Sequence, residues 1–369
     1  MNCPYQIQGT ALWESKSIFL MLCRDADKPD EAMLHWWQSG IEPGAIKCKI
    51  IEKSKDFYTL EPMVLYVCDK RGGMVLPQLT QEALGNILKW SGELHLKAKT
   101  LTGTFRNPEG KSGQMKFSWS NSNHKLKPKK LKNWSDFKTW ASATHSQGVF
   151  NSFRGHGSNN FRLKTTFHRN GRTRLERFAH ETMPEFTNHA EVSLNAQLQA
   201  GIPEDYSTLL GLAQHYGLPT PLLDWTASPY IAAFFAFADA LEYSDSRKNE
   251  THIRIFGLSK VLSDIAYPIV TIPFIAPYVA YLAIAPRLNP RLYAQQGRFL
   301  VSNMLDIENE LIQMGKTNGK ELLVAVDVPI SCAIEALEDL HFMGLTAASM
   351  FPGLDGVCKM MKHKMAYKR

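Results

Sequence analysis

The stretch QHYGLPTPLLDWTASPYIAAFFAF, residues 214–237, sets a carboxylate and two hydroxyls at every second position, Asp224, Thr226 and Ser228, just before an unbroken apolar run. Groups of this kind either shape a turn or line a pocket. A carboxylate among Leu222, Leu223 and Trp225 needs a partner wherever it is buried, and an arginine is the natural one. Ser228 suits the N-cap of a helix that begins at Pro229. The start of such a helix offers unpaired N–H groups and the positive end of its dipole to an anion. Arg154, within FRGHG (153–157), carries a planar fork suited to a carboxylate or a phosphate. A third polar group stands in AQQGRF, where Arg291 and Arg298 bracket Gln295 and Gln296. A helix would bring both arginines near Gln295, and Gly297 makes a turn an equal alternative. We favour ligand contact for Gln295 and ion pairing for Arg291. His156 and His215 are acid–base candidates by type, although a histidine near an element's end more often has a structural hydrogen bond. Tyr216 and Trp225 suit stacking on a flat ring or simple core packing.

These groups need elements to hold them. Tyr206, Leu209, Leu210, Ala213 and Tyr216 fall on one face at helical spacing, which predicts a helix over 205–216. Gly217 follows where a left-handed cap is wanted, and Pro219 prevents continuation. Asp224, Thr226 and Ser228 are then expected in the connection that feeds a second, deeply buried helix from Pro229. Glu176, Glu181 and Glu185 lie in a helical stretch with basic neighbours and read as a solvated face. From Trp134 onward helices alternate with short strands, an α+β pattern. The first 120 or so residues read instead as β structure. In GELHLKAKTLTGTF, Leu94, Leu96 and Ala98 alternate with polar residues as in a half-buried strand. RNPEGKSG supplies the reversal, and QMKFSWS resumes the alternation. Trp36, Trp37, Trp90 and Trp119 fit the core of that β region. The expected division is therefore a mainly β domain over 1–133, with a Lys-rich linker at 121–133, and a mixed α/β domain over 134–369.

With 369 residues, 44% hydrophobic and 21% charged, the chain has room for about two domains with a real core. The formal net charge is +7, and the excess of basic residues falls within 1–134. Lys111, Lys116, Lys125, Lys127, Lys129, Lys130 and Lys132 occur with no acid between Gly110 and Ser135. Such a run either attracts an anionic partner such as nucleic acid or forms a solvated linker. The six cysteines are dispersed without a CxxC pair, which argues against a structural zinc site and a disulfide scaffold. No metal is expected. The amino terminus lacks the blocks of a signal peptide. Between Asp264 and Arg287 there is no charge, but Pro268, Pro273, Pro277 and Pro286 interrupt the run, so buried strand and loop is expected rather than a membrane span. The reading is of a cytoplasmic protein with free thiols. G-x-S-x-G, P-loop, H-E-x-x-H and G-x-G-x-x-G patterns are missing, which removes the usual footholds for hydrolase, NTPase, zinc-protease and Rossmann readings.

FRGHG (153–157), QHYGLPTPLLDWTASPYIAAFFA (214–236), PRLNPRLYAQQGRF (286–299) and GLTAASMFPGLDGVCKMM (344–361), in that order, resemble the FRG domain family, named for the triplet that is here Phe153-Arg154-Gly155. The resemblance covers roughly residues 134–365. It implies a bacterial or phage-borne effector, a toxin or antiviral defence protein, with similarity in motif order to ADP-ribosyltransferases and their split sheet. On that basis NAD is the substrate and a macromolecule, RNA, DNA or protein, is the acceptor, with an antidote or regulatory protein as a further partner. By position Arg154 matches the NAD-holding arginine, Thr226 and Ser228 the hydroxyl motif, and Gln295 the late acidic position. Gly155, His215, Tyr216, Trp225, Ser228 and Arg291 would complete the NAD site, and Asp224 would join Arg154, Thr226 and Gln295 in catalysis. Glutamine at 295 departs from the enzymes, because it hydrogen-bonds without bringing negative charge. The alternative is a non-enzymatic module that binds a nucleotide or RNA.

Overall fold

A computed structural model describes residues 4–70, 72–118, 126–194, 197–266, 274–284 and 290–367. Trp119, residues 121–125 of the expected linker (Lys125 among them), Pro268, Pro273 and Pro286 lie outside these residues.

The period-two stretches of the first region close on themselves. Strands β1 (Gln6–Trp13), β2 (Lys16–Asp25), β3 (Lys28–Gln38), β4 (Ile41–Ser54) and β5 (Phe57–Cys68) are followed by a two-residue annex, β6 (Met74–Val75), and by β7 (Ser91–Lys97), β8 (Thr100–Arg106) and β9 (Ser112–Ser118). The order β4-β3-β2-β1-β9-β8-β7-β5, with β5 also paired to β4, makes an eight-stranded antiparallel barrel. Closure removes the exposed edges that an open sheet would leave. Alternation decides which side chains enter. In β9 Gly113, Met115 and Phe117 are buried and the residues between them are exposed. GELHLKAKTLTGTF is not one strand but a hairpin, in which β7 and β8 pair with Lys97 opposite Thr100. Ala98 takes the left-handed conformation there (φ 52°), a turn signal that an alanine does not announce. Trp36, Trp37 and Trp90 are half-buried rather than fully buried.

The second region is a mixed sheet with both faces covered. Its strands are β10 (Lys129–Lys130), β11 (Phe150–His156), β12 (Leu222–Thr226), β13 (His252–Ser259), β14 (Val279–Leu282), β15 (Gly297–Ser302) and β16 (Leu323–Pro329), in the order β10-β16-β13-β11-β12-β15-β14. β10 pairs parallel to β16 and the other pairs are antiparallel. Lys129 and Lys130 of the lysine run are therefore strand residues, while Lys111 pairs with Glu14 at 2.7 Å. One face packs on the helices Trp134–Gln147, Pro229–Glu242 and Ala333–Phe342 through Trp134, Phe137, Phe153, Phe237, Ile255 and Leu337. The other face packs on the helices Pro203–His215 and Ile307–Thr317. The first of these was expected over 205–216, and Gly217 closes it with φ 85°. Val279, Ala280 and Leu282 are buried in β14. Among the described residues no helix is long and apolar enough to cross a membrane.

The two regions share a core. Met21, Cys23, Met33 and Ala45, on the outer surface of β2–β4, are buried in the cluster that also holds Leu209, Trp225, Phe256 and Leu300. Beside that contact runs a polar seam. Gln6 Nε2 donates to the Asn303 carbonyl (2.6 Å), and its Oε1 accepts from Leu305 N (2.7 Å). Asp25 accepts from Thr173 N (2.8 Å) and Arg174 N (3.0 Å) and pairs with Arg177 (2.7 Å). Arg174, with a side chain only 1% exposed, pairs with Glu176 at 2.6 Å and Glu31 at 2.7 Å. Glu176 is thus buried and paired, unlike the solvated residue expected, whereas Glu181 pairs with Arg177 at the surface. Burial pushes the Glu176 carboxyl up against the pull of Arg174. Burial also opposes ionisation of Glu31, but Arg174 and Lys47 outweigh it and hold that carboxyl below its ordinary range.

Candidate functional site

The Phe-Arg-Gly triplet is three consecutive β11 residues with three different tasks. Phe153 points into the helical layer and meets Trp140 edge-on at 6.1 Å. Gly155 points the same way, and a Cβ there would run into the Ala232 carbonyl of the Pro229–Glu242 helix. Glycine is what lets that helix lie so close to the strand. Arg154, between them, is directed to the opposite face by the strand's alternation. There it stands across from Phe256 on β13.

On that face Arg154 is mostly buried, with 16% of its side chain exposed. Its Nη1 donates to the Asp224 carbonyl oxygen at 2.5 Å and lies 4.0 Å from Oδ2 of the Asp224 carboxylate. Its Nε donates to His156 Nε2 at 3.1 Å. Because an arginine Nε only donates, His156 must be neutral with its proton on Nδ1, which faces the Phe161 carbonyl at 3.4 Å. Burial, reinforced by Arg154, pushes the His156 pKa down to about 3. Among the described residues Arg154 Nη2 has no hydrogen-bond partner. Burial lowers the Arg154 pKa, the Asp224 charge opposes this, and the Arg169 charge adds to it. Arg169 also acts on Lys164, whose pKa burial pushes down. The local field is positive, with one exposed carboxylate in it.

That carboxylate sits differently from the expectation. Asp224 and Thr226 belong to strand β12, not to a connection, and only Ala227 and Ser228 link the strand to the helix. The Asp224 side chain is 54% exposed, so solvent rather than a buried partner accounts for its charge. It accepts a hydrogen bond from Gln214 Nε2 at 2.8 Å, and Gln214 Oε1 accepts from Thr220 Oγ1. His156, Arg154, Asp224, Gln214 and Thr220 thus form one continuous chain of polar contacts. Gln214 and Thr220 are visible in the sequence as polar residues flanking the Gly217–Pro219 turn, but nothing in their spacing marks them as partners of Asp224.

β11 and β12 share a single registered pair, Phe153 with Thr226. Beyond it β11 follows β13 and β12 follows β15. Trp225 is buried and registered against Arg298. Among the described residues its indole Nε1 has no hydrogen-bond partner, an uncommon state for a buried donor. Arg298 donates to the Asn151 carbonyl (2.7 Å) and to Ser152 Oγ (3.0 Å), which also accepts from Tyr281 (2.9 Å). Burial raises the Tyr281 pKa.

The remaining candidates are spread further. Thr226 Oγ1 accepts from Ser228 N (3.2 Å), and Ser228 Oγ caps the helix by accepting from Ile231 N (3.4 Å). Gln295 lies just after the short helix Pro290–Ala294 and donates from Nε2 to the Met350 carbonyl at 3.1 Å. Gln296 adopts φ 47° and accepts from Ala227 N through its carbonyl. Arg291, for which an ion pair was expected, has none among the described residues; its guanidinium lies 5.6 Å from the Phe351 ring centre. His215 ends its helix half-buried and meets Tyr216 edge-on at 4.8 Å. Burial and then the Arg291 charge lower its pKa. Tyr216 is 70% exposed. The structure therefore joins Arg154, Gly155, Asp224, Trp225, Thr226 and Ser228 around β11 and β12, while Gln295 and Arg291 engage the segment at Met350–Phe351. Among the described residues no group of three His, Cys, Asp or Glu is placed to hold a metal ion.

No curated protein matches the chain. Among solved structures, a redesigned beta barrel is similar at 14% identity, covering 32% of this chain and 91% of its own, with a TM-score of 0.23. A de novo designed fluorescence-activating beta barrel is similar at 13% identity over 31% of this chain and 91% of its own, with a TM-score of 0.20. At those scores the barrel assignment rests on the strand pairings alone. The family comparison falls on the polar chain itself, from Asn151 through Arg154, Gln214 and Asp224 to the end of the Pro229–Glu242 helix: residues 151–245 are an FRG domain.

Proposed function

We propose that the FRG domain holds the pyrophosphate of NAD at Arg154 and transfers ADP-ribose to a macromolecule, as an effector of bacterial or phage conflict. The observation that carries this reading is the pairing of a largely buried guanidinium with an exposed carboxylate across the split between β11 and β12. A guanidinium preset by His156 and the Asp224 carbonyl loses little freedom on meeting an anion. The Arg154 Nη2, unpartnered among the described residues, is a donor that such a substrate could satisfy. In the reaction the bond between nicotinamide and its ribose breaks, nicotinamide leaves with the bonding electrons, and an acceptor nucleophile bonds the ribose carbon and gives up its proton. Asp224 is the charge available to stabilise the cationic ribose, in place of the neutral Gln295.

The test is incubation of the purified protein with labelled NAD and cell extract. We expect label on a macromolecule and free nicotinamide, both reduced by roughly a hundredfold or more in Arg154→Ala and Asp224→Asn, with melting curves showing that the variants fold. Equal transfer by wild type and Arg154→Ala, or none by either, would overturn the reading. A second reading, a non-enzymatic nucleotide- or RNA-binding module, is favoured by Gln295, whose amide is committed to the Met350 carbonyl. It predicts RNA affinity that falls steeply with ionic strength and no release of nicotinamide.

A further inference from the structure

Eight-stranded barrels are about wide enough for their own side chains to fill, and protein interiors are packed to crystal-like density. This barrel is not filled. One end holds a cavity of about 350 Å³ that is partly open to solvent. All eight barrel strands line it, with Leu20, Leu34, Ile46, Leu60 and Met115 on its walls, and Ile87 from the helix Gln81–Ile87 reaches the same space. The lining has no charged side chain. Trp36 spends its indole N–H on the Glu42 carbonyl at 3.0 Å. Burial pushes the Cys48 thiol up to about 12, so it lines the wall as a neutral group.

The half-buried rings gather at this end. Trp13 lies 5.2 Å from both Trp90 and Phe105, and Trp90 lies 6.0 Å from Phe105. The cavity is more than twice the roughly 150 Å³ of an apolar cavity that takes up benzene, and it falls in the range of small-molecule sites. A largely apolar wall without a charged side chain offers water few bonds and penalises an ionised guest.

We propose that the barrel is a binding site for a small, neutral, largely apolar molecule carrying a flat ring, seated against Trp13, Trp36 and Trp90. The site is separate from the FRG domain and does not depend on the NAD reading. The full chain is titrated with the neutral fluorophore N-phenyl-1-naphthylamine while its emission and the tryptophan emission are followed. We expect saturable, one-to-one binding with tryptophan quenching, and binding at least roughly tenfold weaker in Ala11→Leu and in Leu34→Trp, which fill the cavity from two walls. Melting curves identify variants that fold, and two walls are used so that failure of one variant leaves the other. The anionic analogue 1-anilinonaphthalene-8-sulfonate should bind this site at least roughly tenfold more weakly. No saturable binding by the wild-type chain, unchanged affinity in a folded cavity-filling variant, or equal affinity for the anion would each overturn the proposal.

Discussion

Along β9 of the barrel, Gly113, Met115 and Phe117 are buried while Ser112, Gln114, Lys116 and Ser118 face water. Along β11 and β12 of the second sheet both faces are covered, and the polar residues Ser152, Arg154, His156 and Thr226 sit where a doubly buried strand should be apolar. A polar residue on a one-sided strand costs nothing when it faces solvent. A polar residue in a two-sided strand costs several kcal/mol unless something meets it. The barrel thus concentrates its information in shape, as an unfilled apolar interior, and the FRG domain concentrates it in a few compensated polar groups. The regions meet at a deeply buried charge, Arg174.

The sharpest way to break this contrast is to remove that charge. Arg174→Ala would leave Glu176 without its cation and Glu31 with Lys47 alone, 3.1 Å away, and we expect a loss of about 3–5 kcal/mol in denaturant unfolding. Wild type should unfold in one transition, since Met21, Met33 and Ala45 of the barrel lie in the core of the second region. A loss below about 1 kcal/mol, or separate transitions for the two regions in wild type, would show the seam to be decorative.

A smaller effect tests the FRG triplet itself. Gly155→Ala drives a methyl group into the backbone carbonyl of Ala232, which cannot rotate aside, so we expect a loss of about 1–3 kcal/mol. Gly85, in the helix Gln81–Ile87 beside the barrel, has open space where a methyl group would stand. Gly85→Ala should raise stability by up to about 1 kcal/mol. If both alanines act alike, the close helix–strand approach is not what requires glycine at 155.

What is legible in the sequence follows the same contrast. The barrel strands are readable because one face is wet, and the helix Pro203–His215 is readable from its apolar stripe and the Gly217 stop. Closure of the barrel is not, because β1–β9 and β5–β7 pairing, with Gly9 opposite Phe117 and Phe57 opposite His95, depends on register across the chain rather than on local pattern. The Asp224 strand reads as a connection because Pro219, Pro221 and the alternating polar residues imitate a loop. In the fold Asp224 lies at the strand's exposed position while Leu223 and Trp225 are buried. Arg154 and Asp224 can be paired from chemistry alone, whereas Gln214, Thr220 and the Arg174 pairs cannot, because each partner is set by tertiary packing. Motif order places Gln295 at the site, but its amide is turned to Met350, a choice that spacing does not encode.

The finest test concerns the histidine that presets the arginine. His156 is neutral in the folded protein because burial and Arg154 hold its pKa at about 3, while in the unfolded chain it titrates near 6.5. Between those values the unfolded state binds the extra proton, so this group's contribution to stability is complete above about pH 6.5 and declines as pH falls toward 3. Dropping from pH 7.5 to 5.5 should cost about 1 kcal/mol through His156 alone. Glutamine can still accept from Arg154 Nε but does not titrate, so His156→Gln should remove that increment of acid sensitivity. The increments from His35 (pKa about 4) and His168 (about 3), each pushed down first by burial, should remain. Stability curves of wild type and variant that run parallel between pH 7.5 and 5.5 would mean that His156 is protonated in the folded state. Its Nε2 could not then accept from Arg154, and the polar chain would begin at the arginine rather than at the histidine.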